Sequence, residues 1–477
     1  MHVSPRLLRP CFVATSLLLP LPLGAALNVT LEKLAEAPAQ DFGTPLGVPW
    51  VIGGQVYYSK TDGSEGGPDY GIYRGAGTPV ITWGSEVDGA SVNNISISGV
   101  SGSNWIVSGY ANYVPNEPNS YYGSIMLFPG GNRILDKYSP FPGYPVPHPR
   151  NPIGPSSIDG GRVALTVPGT NIAPAQPSAI AVWEGGNISL IAKEGVTTVP
   201  GTSTAFYAFD TFTRPYAEGG KVVFVGRGSG TAGIYEWNGS TLRTVVDQAT
   251  PAPQGGTLGS NFNVGNVVKS GADYAFVAGS SDNQLYKLVG GQLTLVASNQ
   301  DAIPEGTGNF YDFYGPTIRN GNVVFVGYRS NQFAPPLQYG IYTDATGTVE
   351  PIVDLQTSFG GKTPIRFSMN VGDAWVGDWV YFLAVFNDNS AAIYRASFEP
   401  AVETLASTTV FTTPTSGTIS VPSVSGTNYQ LMASSTLSGG TTVQTVAGTG
   451  GTLVFSFSAP TPTPARYFFW VKSVAAP

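Results

Sequence analysis

Two neighbouring stretches of this sequence hold most of the side chains that could bind a polar ligand. The first is YANYVPNEPNSYY, residues 110–122, and the second is DKYSPFPGYPVPHPR, residues 136–150. Flat aromatic rings beside amide groups suit the surfaces of sugars and peptides. We therefore select as candidate ligand contacts Tyr110, Tyr113, Tyr121, Tyr122, Tyr144, His148 and Arg150. The alternative is that these aromatic side chains pack over their own structural unit.

Acidic side chains could support a second chemistry, the hydrolysis of glycosidic bonds, which needs two carboxylates facing each other across a substrate. The acids in connections long enough to form a site are Glu65, Asp69, Asp210, Glu305, Asp312 and Asp388. No spacing ties any two of them together, so solvated loop acids are the simpler interpretation. We select no catalytic residue, and an extracellular carbohydrate-active hydrolase or lyase remains the alternative to a binding protein.

Two stretches are rich in oxygen ligands, DGSEGGPD at 62–69 and NDNS at 387–390. Both could hold calcium, although neither has the acidic spacing of an EF-hand loop. No other cofactor or metal is predicted.

The first 26 residues have the order of a secretory signal peptide. Arg6 and Arg9 precede an apolar run from Cys11 to Leu23, and small residues follow at 24–26. An N-terminal membrane anchor is the alternative, but the run is shorter than the roughly 20 residues that span a bilayer. Cleavage would remove His2 and the single cysteine, which excludes disulfides, thiolate catalysis and cysteine-ligated zinc from the mature chain. His148 would then be the only histidine on which a Ser-His-Asp triad could be built.

The charge balance argues against a nucleic-acid partner. The chain has 23 basic and 30 acidic residues and a net charge of −7, whereas phosphate contacts need clustered Lys and Arg. We expect a secreted, periplasmic or cell-surface protein with no transmembrane segment after signal cleavage. Its expected partner is a polysaccharide or another cell-surface component.

A repeated unit must position these side chains, and it is clearest at residues 315–353. A first strand turns at Asn320-Gly321, a pair that tolerates the positive φ angles of a tight hairpin. A second strand follows at 323–326, a third at Gly340-Ile341-Tyr342 and a fourth at 349–353. The second strands of seven such units are QVYYS, NWIVS, RVALT, KVVFV, DYAFV, NVVFV and DWVYF. They recur about every 50 to 60 residues, as blades of a β-propeller do.

We therefore predict an all-β protein whose residues 27–406 form a seven-bladed β-propeller. A row of separate β-sandwiches is the alternative. The segment LEKLAE at 31–36 reads as a fourth strand without its first three, so we expect it at ring closure. The short turns, such as Asn238-Gly239, would lie on one face of the ring and the long connections on the other, where a ligand is expected.

These repeats resemble those of bacterial secreted tandem-repeat proteins with an NxxGxxAF motif and varied C-terminal anchors. The resemblance rests on PTIRNGNVVF at 316–325 and on the Gly-Ile-Tyr triplets, with Val324 in place of the motif's alanine. It implies an exported propeller of unassigned function and carries over no catalytic residue.

Residues 407–477 differ in composition, with more Ser, Thr and Gly and almost no charge. Short apolar segments predict strands at 416–421, 428–433, 441–446, 452–458 and 466–473. This part resembles small β modules at the C-termini of secreted proteins in environmental bacteria. We expect a small C-terminal β-sandwich module.

Overall fold

The computed structural model describes most of the chain from residue 27 to residue 475. The described ranges are 27–39, 44–61, 70–87, 90–112, 121–136, 139–144, 156–169, 176–209, 213–259, 264–279, 283–329, 339–400, 408–413, 416–423, 427–434, 441–458 and 468–475. These residues divide into two compact units, one of them Leu27–Ala401 and the other containing the described residues from 408 onward.

The first unit is a seven-bladed β-propeller, which confirms the predicted architecture. Strand β1 (Leu27–Ala37) precedes the blades. Blade 1 consists of β2 (Trp50–Ile52), β3 (Gln55–Lys60), β4 (Gly71–Arg74) and β5 (Thr78–Thr82). Blade 2 consists of β6 (Glu86–Val87), β7 (Ala90–Ser101), β8 (Asn104–Asn112), β9 (Tyr121–Phe128) and β10 (Asn132–Leu135). Blade 3 consists of β11 (Ser156–Asp159), β12 (Arg162–Val167), β13 (Ala179–Glu184) and β14 (Asn187–Lys193).

Blades 4 to 7 follow the same plan. Their strands are β15 (Phe206–Phe209), β16 (Tyr216–Glu218), β17 (Lys221–Gly228), β18 (Thr231–Trp237) and β19 (Leu242–Asp247); β20 (Val264–Ser270), β21 (Asp273–Ala278), β22 (Gln284–Val289) and β23 (Gln292–Ser298); β24 (Asp312–Arg319), β25 (Asn322–Tyr328), β26 (Tyr339–Thr343) and β27 (Glu350–Asp354); and β28 (Pro364–Ser368), β29 (Trp375–Val376), β30 (Trp379–Phe386) and β31 (Ala391–Pro400). The strand pairings described within these blades are antiparallel. Among the described residues, no helix has the length and apolar character that crossing a membrane requires.

The seven predicted second strands are the second strands of the seven blades, and the third strand predicted at Gly340-Ile341-Tyr342 is the third strand of blade 6. The turn at Asn320 and Gly321 has φ angles of 49° and 75°, as the tight hairpin requires. The second strands pack on both faces. In β25, for example, the residues from Val323 to Gly327 are all buried, because each blade is sandwiched between its neighbours.

The Gly-Ile-Tyr triplet has a packing reason. A Cβ atom on Gly340 would lie 2.6 Å from Cζ of Tyr342, whose ring is buried in the core between blades 5 and 6. The glycine thus leaves the space that the tyrosine ring two residues later occupies.

Strand β1 completes blade 7, as expected for the isolated fourth strand at 31–36. It pairs antiparallel with β31 from Leu27 opposite Pro400 to Ala37 opposite Ala391, with a register irregularity between Lys33 and Ala35. The strand therefore joins the two ends of the propeller.

A buried carboxylate links blade 4 to blade 5. Glu236 is 1% exposed at its side chain and lies 2.9 Å from Arg243 and 3.3 Å from Lys221. Its Oε2 accepts a hydrogen bond of 2.5 Å from the hydroxyl of Tyr274 on β21. Burial alone would raise the pKa of Glu236, but the hydrogen bonds from Tyr274 and Arg243 outweigh it and lower that pKa.

We expect the contribution of this cluster to stability to depend on pH. Because the pKa of Glu236 is lower in the folded than in the unfolded protein, its stabilisation is present above the unfolded value of 4.5 and is lost as the pH falls through the folded value. Glu236→Gln should lower the free energy of unfolding by about 2 kcal/mol at pH 7, and by less at pH 3.5. Urea unfolding at both pH values tests this. The exposed Glu184→Gln is the control, and an equal loss at both pH values for Glu236→Gln would contradict the prediction.

The second unit contains two three-stranded sheets. Their strands are β32 (Thr408–Thr413), β33 (Ser416–Pro422), β34 (Thr427–Ser434), β35 (Thr441–Ala447), β36 (Thr452–Ser458) and β37 (Phe468–Ala475). Apolar residues of both sheets, among them Ile419, Leu431 and Phe455, form one buried cluster. The β-sandwich interpretation of this part and its boundary at 406 stay predictions.

Candidate functional site

A group of four tyrosines lies on the long-connection side of blade 6. Tyr311 and Tyr314 lie just before and within β24, Tyr328 ends β25 and Tyr339 begins β26. The ring of Tyr328 is the centre, with ring-centroid distances of 5.9 Å to Tyr311, 5.8 Å to Tyr314 and 5.2 Å to Tyr339. The rings of Tyr328 and Tyr339 are stacked at 11°. We call these four residues the blade-6 tyrosine cluster.

The cluster combines one solvent-exposed aromatic ring with more buried rings that pack beside it. Tyr311 is 51% exposed, whereas Tyr339 is buried. The backbone N–H of Tyr311 donates to the carbonyl of Tyr328 at 2.7 Å, which ties the exposed residue to the end of β25. A ligand would therefore meet one accessible ring supported by three others.

The carboxylate of Asp312 fixes the position of Tyr328 in the cluster by hydrogen bonding. Its Oδ2 accepts a hydrogen bond of 2.9 Å from the hydroxyl of Tyr328. Its Oδ1 accepts hydrogen bonds from the Asn283 side chain at 2.8 Å and from the backbone N–H of Phe313 at 2.7 Å. Burial raises the pKa of Asp312, and these hydrogen bonds oppose the rise.

Three tyrosines of the cluster, Tyr314, Tyr328 and Tyr339, stay protonated at neutral pH. Burial raises the pKa of Tyr314 to about 12. Burial and the neighbouring Asp312 carboxylate raise the pKa of Tyr328. These groups therefore act as hydrogen-bonding phenols and not as bases.

Blade 4 shows which of these residues belong to the repeat itself. The two blades share the buried pairs Phe206 with Phe209 and Phe310 with Phe313, at ring distances of 5.1 and 5.2 Å. The exposed Tyr207 of blade 4 occupies the position of Tyr311.

The two blades differ at the surface around that tyrosine. Where blade 6 has Asp312, Tyr328 and Tyr339, blade 4 has Ala208, Arg227 and Ala232. The three differences converge in one place, so the cluster is an addition to the repeat and not a requirement of it.

The residues selected from the sequence have different positions. The backbone pairs Tyr110 with Gly123, Asn112 with Tyr121 and Ala111 with Tyr122, which brings Tyr110, Tyr121 and Tyr122 to the adjoining ends of β8 and β9. Tyr113, His148 and Arg150 lie outside the described residues.

Tyr144 is buried in the core between blades 2 and 3. Its hydroxyl donates to the carbonyl of Pro177 at 2.7 Å, and Nζ of Lys193 lies 4.7 Å from its ring centre. Burial raises its pKa to about 12. These contacts give Tyr144 a packing role, and its role in binding stays a prediction.

The acids considered for hydrolysis are not joined in pairs. Asp312 is held by Asn283, Phe313 and Tyr328, and Asp388 in blade 7 accepts from Ser390 and lies 3.6 Å from Lys362. Glu305 is an exposed loop residue, while Glu65, Asp69 and Asp210 fall outside the described ranges. Within those ranges, Asp312 and Asp388 share no hydrogen-bond partner.

The calcium prediction concerns two stretches. Residues 62–69 are outside the described chain. In the other stretch, Asp388 accepts hydrogen bonds from the backbone and side chain of Ser390. No group of three or more His, Cys, Asp or Glu side chains that could hold a metal occurs in the described part, and calcium stays a prediction.

The sequence pattern did not indicate the blade-6 tyrosine cluster, because its members are spread over residues 311–339 with no local concentration of aromatics. A signal was nevertheless present. Aligning GNFYDF at 308–313 with TAFYAF at 204–209 isolates Asp312, and aligning VVFVGY with VVFVGR isolates Tyr328.

Comparisons with known proteins identify a family and a few distant structures. A model described as a family of unknown function (DUF7453) matches residues 156–360 and 233–429. A search of curated proteins found no match.

Three solved structures are similar at low identity. The computationally designed Ika8 protein is 12% identical, with 78% of this chain and 96% of that chain covered and a TM-score of 0.34. A S. cerevisiae Dbp5 structure with Nup159 and Gle1 is 10% identical, with 78% and 96% covered and a TM-score of 0.38. Acylaminoacyl peptidase of Pyrococcus horikoshii is 10% identical, with 72% of this chain and 50% of that chain covered and a TM-score of 0.37. At these TM-scores the likenesses support no inference about function.

Proposed function

Because this chain belongs to the family of unknown function DUF7453, we propose a function from its own surface: it is an exported, carbohydrate-binding propeller of the bacterial cell surface or periplasm. The binding site is the blade-6 tyrosine cluster. Export follows from the signal-peptide pattern of residues 1–26.

One observation carries the proposal. Blades 4 and 6 both have an exposed tyrosine at the same position, but only blade 6 surrounds it with Asp312, Tyr328 and Tyr339. The exposed ring of Tyr311, tilted by 50° from the ring of Tyr328, presents an apolar face beside phenol hydroxyl groups, which complements the face and rim of a sugar ring. The Asn283 amide and the Asp312 carboxylate fix the position of the Tyr328 hydroxyl. A polysaccharide would thus bind to a preorganised surface, with little side-chain ordering left to be done on binding.

The matched pair Tyr311→Ala and Tyr207→Ala tests the site. Both remove an exposed tyrosine at the same position of a repeat, so their effects on folding should be alike. A glycan array first identifies the polysaccharide that the parent protein binds. Tyr311→Ala is expected to weaken binding to that polysaccharide at least tenfold, because truncating an aromatic contact at the centre of a site costs about 2 kcal/mol. Tyr207→Ala should leave binding within about twofold.

Equal weakening by the two variants, or none by either, would contradict the assignment of the site. Each retained glycan should also be assayed for released oligosaccharide. Release by the parent protein that is lost in Asp312→Asn would make the chain an enzyme and not a binding protein.

A further inference from the structure

The blade-6 tyrosine cluster lies on the long-connection side of the propeller. The opposite side, where the short turns lie, has two adjoining cavities. The larger, of about 300 Å³, is walled by Trp50, Val51, Val100, Trp375 and Val376, with glycine backbone at its rim. The smaller, of about 110 Å³, is lined mainly by polar side chains of blades 2, 3, 4 and 7. Val100 and Asp373 line both cavities, which are therefore adjacent. We call the pair the turn-end cavity.

Two carboxylates of the smaller part each use one oxygen to join blades. Oδ2 of Asp159 accepts the backbone N–H of Gly220 at 2.9 Å. Oε2 of Glu218 accepts the backbone N–H of Gly271 at 2.9 Å and lies 3.3 Å from Nζ of Lys269. Among the described residues, the second oxygen of each carboxylate accepts no hydrogen bond. Both side chains therefore keep hydrogen-bonding capacity after their structural role is met.

The third carboxylate is paired with an arginine whose contacts are already made. Nη2 of Arg214 lies 2.7 Å from Oδ2 of Asp373 and donates to the carbonyl of Val371. Nη1 of Arg214 donates to the carbonyl of Ser98 at 3.1 Å, and the hydroxyl of Tyr216 donates to the carbonyl of Gly372 at 3.2 Å. The donors of Arg214 and Tyr216 beside the cavity are thus directed at protein acceptors.

The balance of charge follows from these contacts. Three carboxylates, Asp159, Glu218 and Asp373, line the cavity, and the two cations in contact with them are Arg214 and Lys269. Among the residues that the structure describes, one of the three negative charges is left without a contacting cation, and the second oxygens of Asp159 and Glu218 accept no hydrogen bond. An occupant that carries N–H donors and a positive charge would complement both.

The geometry points to a binding site for a small amine with an apolar body. The ammonium group lies in the smaller part among Asp159, Glu218 and Asp373, and the apolar body lies between the walls that Trp50 and Trp375 provide. An anion would meet like charge, and a purely apolar ligand would cover the carboxylate oxygens without donating to them. This inference concerns a different face from the blade-6 tyrosine cluster and does not rest on the proposed carbohydrate binding.

Calorimetric titration of the full chain with 2-phenylethylamine, 2-phenylethanol and phenylacetate tests this inference. We expect the amine to bind at least tenfold more tightly than the alcohol, and phenylacetate to bind more weakly than either. Asp159→Asn keeps a side-chain oxygen for the Gly220 N–H and removes the charge. It should weaken the amine about five- to tenfold and leave the alcohol unchanged.

Three further variants complete the experiment. Trp375→Ala should weaken the amine and the alcohol alike, and Glu350→Gln, at the outer strand β27 of blade 6, should change neither. Glu218→Gln replaces Asp159→Asn if the latter lowers the melting temperature. Equal affinity for amine and alcohol, unchanged amine binding in the charge-removing variant, or no amine binding at millimolar concentration would each overturn the inference.

Discussion

Deleting residues 27–37 is expected to abolish the cooperative unfolding transition of the propeller. These residues form β1, which is the outer strand of blade 7. Strand β1 pairs with β31 of blade 7 and continues along the chain into blade 1, so its deletion leaves these two blades unconnected. Strand β31 then becomes an unpaired edge of its sheet. The expected effect exceeds that of any single substitution, because a propeller without ring closure loses packing on both sides of the gap.

The packing of β1 explains why one strand has this weight. Leu27, Val29 and Leu31 pack against the core between blades 6 and 7. After the register irregularity, Ala35 and Ala37 belong to the core between blades 7 and 1. The strand therefore contributes to two cores at once, as the outer strand β14 of blade 3 also does, and its loss removes packing from both.

Urea unfolding followed by intrinsic fluorescence measures the effect. The deletion variant should lose the sigmoidal transition, and a synthetic peptide of residues 27–37 added in excess should restore it. The control is Glu32→Gln, which weakens only the exposed pair with Arg395 and should cost less than about 1 kcal/mol. A deletion variant that unfolds at the parent midpoint with the parent slope would show that β1 does not close the ring.

The fold could be predicted from the sequence because each blade repeats the same packing requirement. A second strand buried on both faces must be apolar at consecutive positions, as in VVFV at 323–326, and this pattern is visible in the sequence. The isolated LEKLAE segment was identifiable for the same reason, since its missing partners had to be at the other end of the chain. Interrupted first strands, such as β28 and β29 of blade 7, were not predictable, because their breaks depend on contacts across the channel.

The blade-6 tyrosine cluster was harder to predict because proximity between strand ends is a three-dimensional property. Tyr328 and Tyr339 flank a connection and are brought into contact only by the pairing of β25 with β26. The concentration of tyrosines at 110–122 was conspicuous in the sequence, yet concentration alone does not decide whether a ring packs inward, as Tyr144 does. Comparing the repeats with one another separates rings that pack inward from rings available to a ligand. A residue needed for packing recurs from blade to blade, whereas an added residue does not.

Gly327→Ala is expected to lower the free energy of unfolding by about 3 kcal/mol, which is a typical upper cost of overpacking a core. A Cβ atom at this position would lie 2.6 Å from Cε1 and 2.9 Å from Cδ1 of Phe310. Phe310 is buried and packs edge to face with Tyr342 at 5.2 Å, so its ring cannot turn aside without disturbing a second ring. The cost is steric, because Gly327 lies within β25 and does not have a positive φ.

Three companion variants identify the clash. Gly226→Ala, with a Cβ atom 2.7 Å from Phe206, should cost a similar amount, while Gly161→Ala, with no atom within 4 Å, should be nearly neutral. Combining Gly327→Ala with Phe310→Leu should cost less than the sum of the two single changes, because leucine lacks the Cε1 atom that the new methyl group would strike. Strictly additive costs in urea unfolding would show that the strain does not lie between the residues at positions 310 and 327.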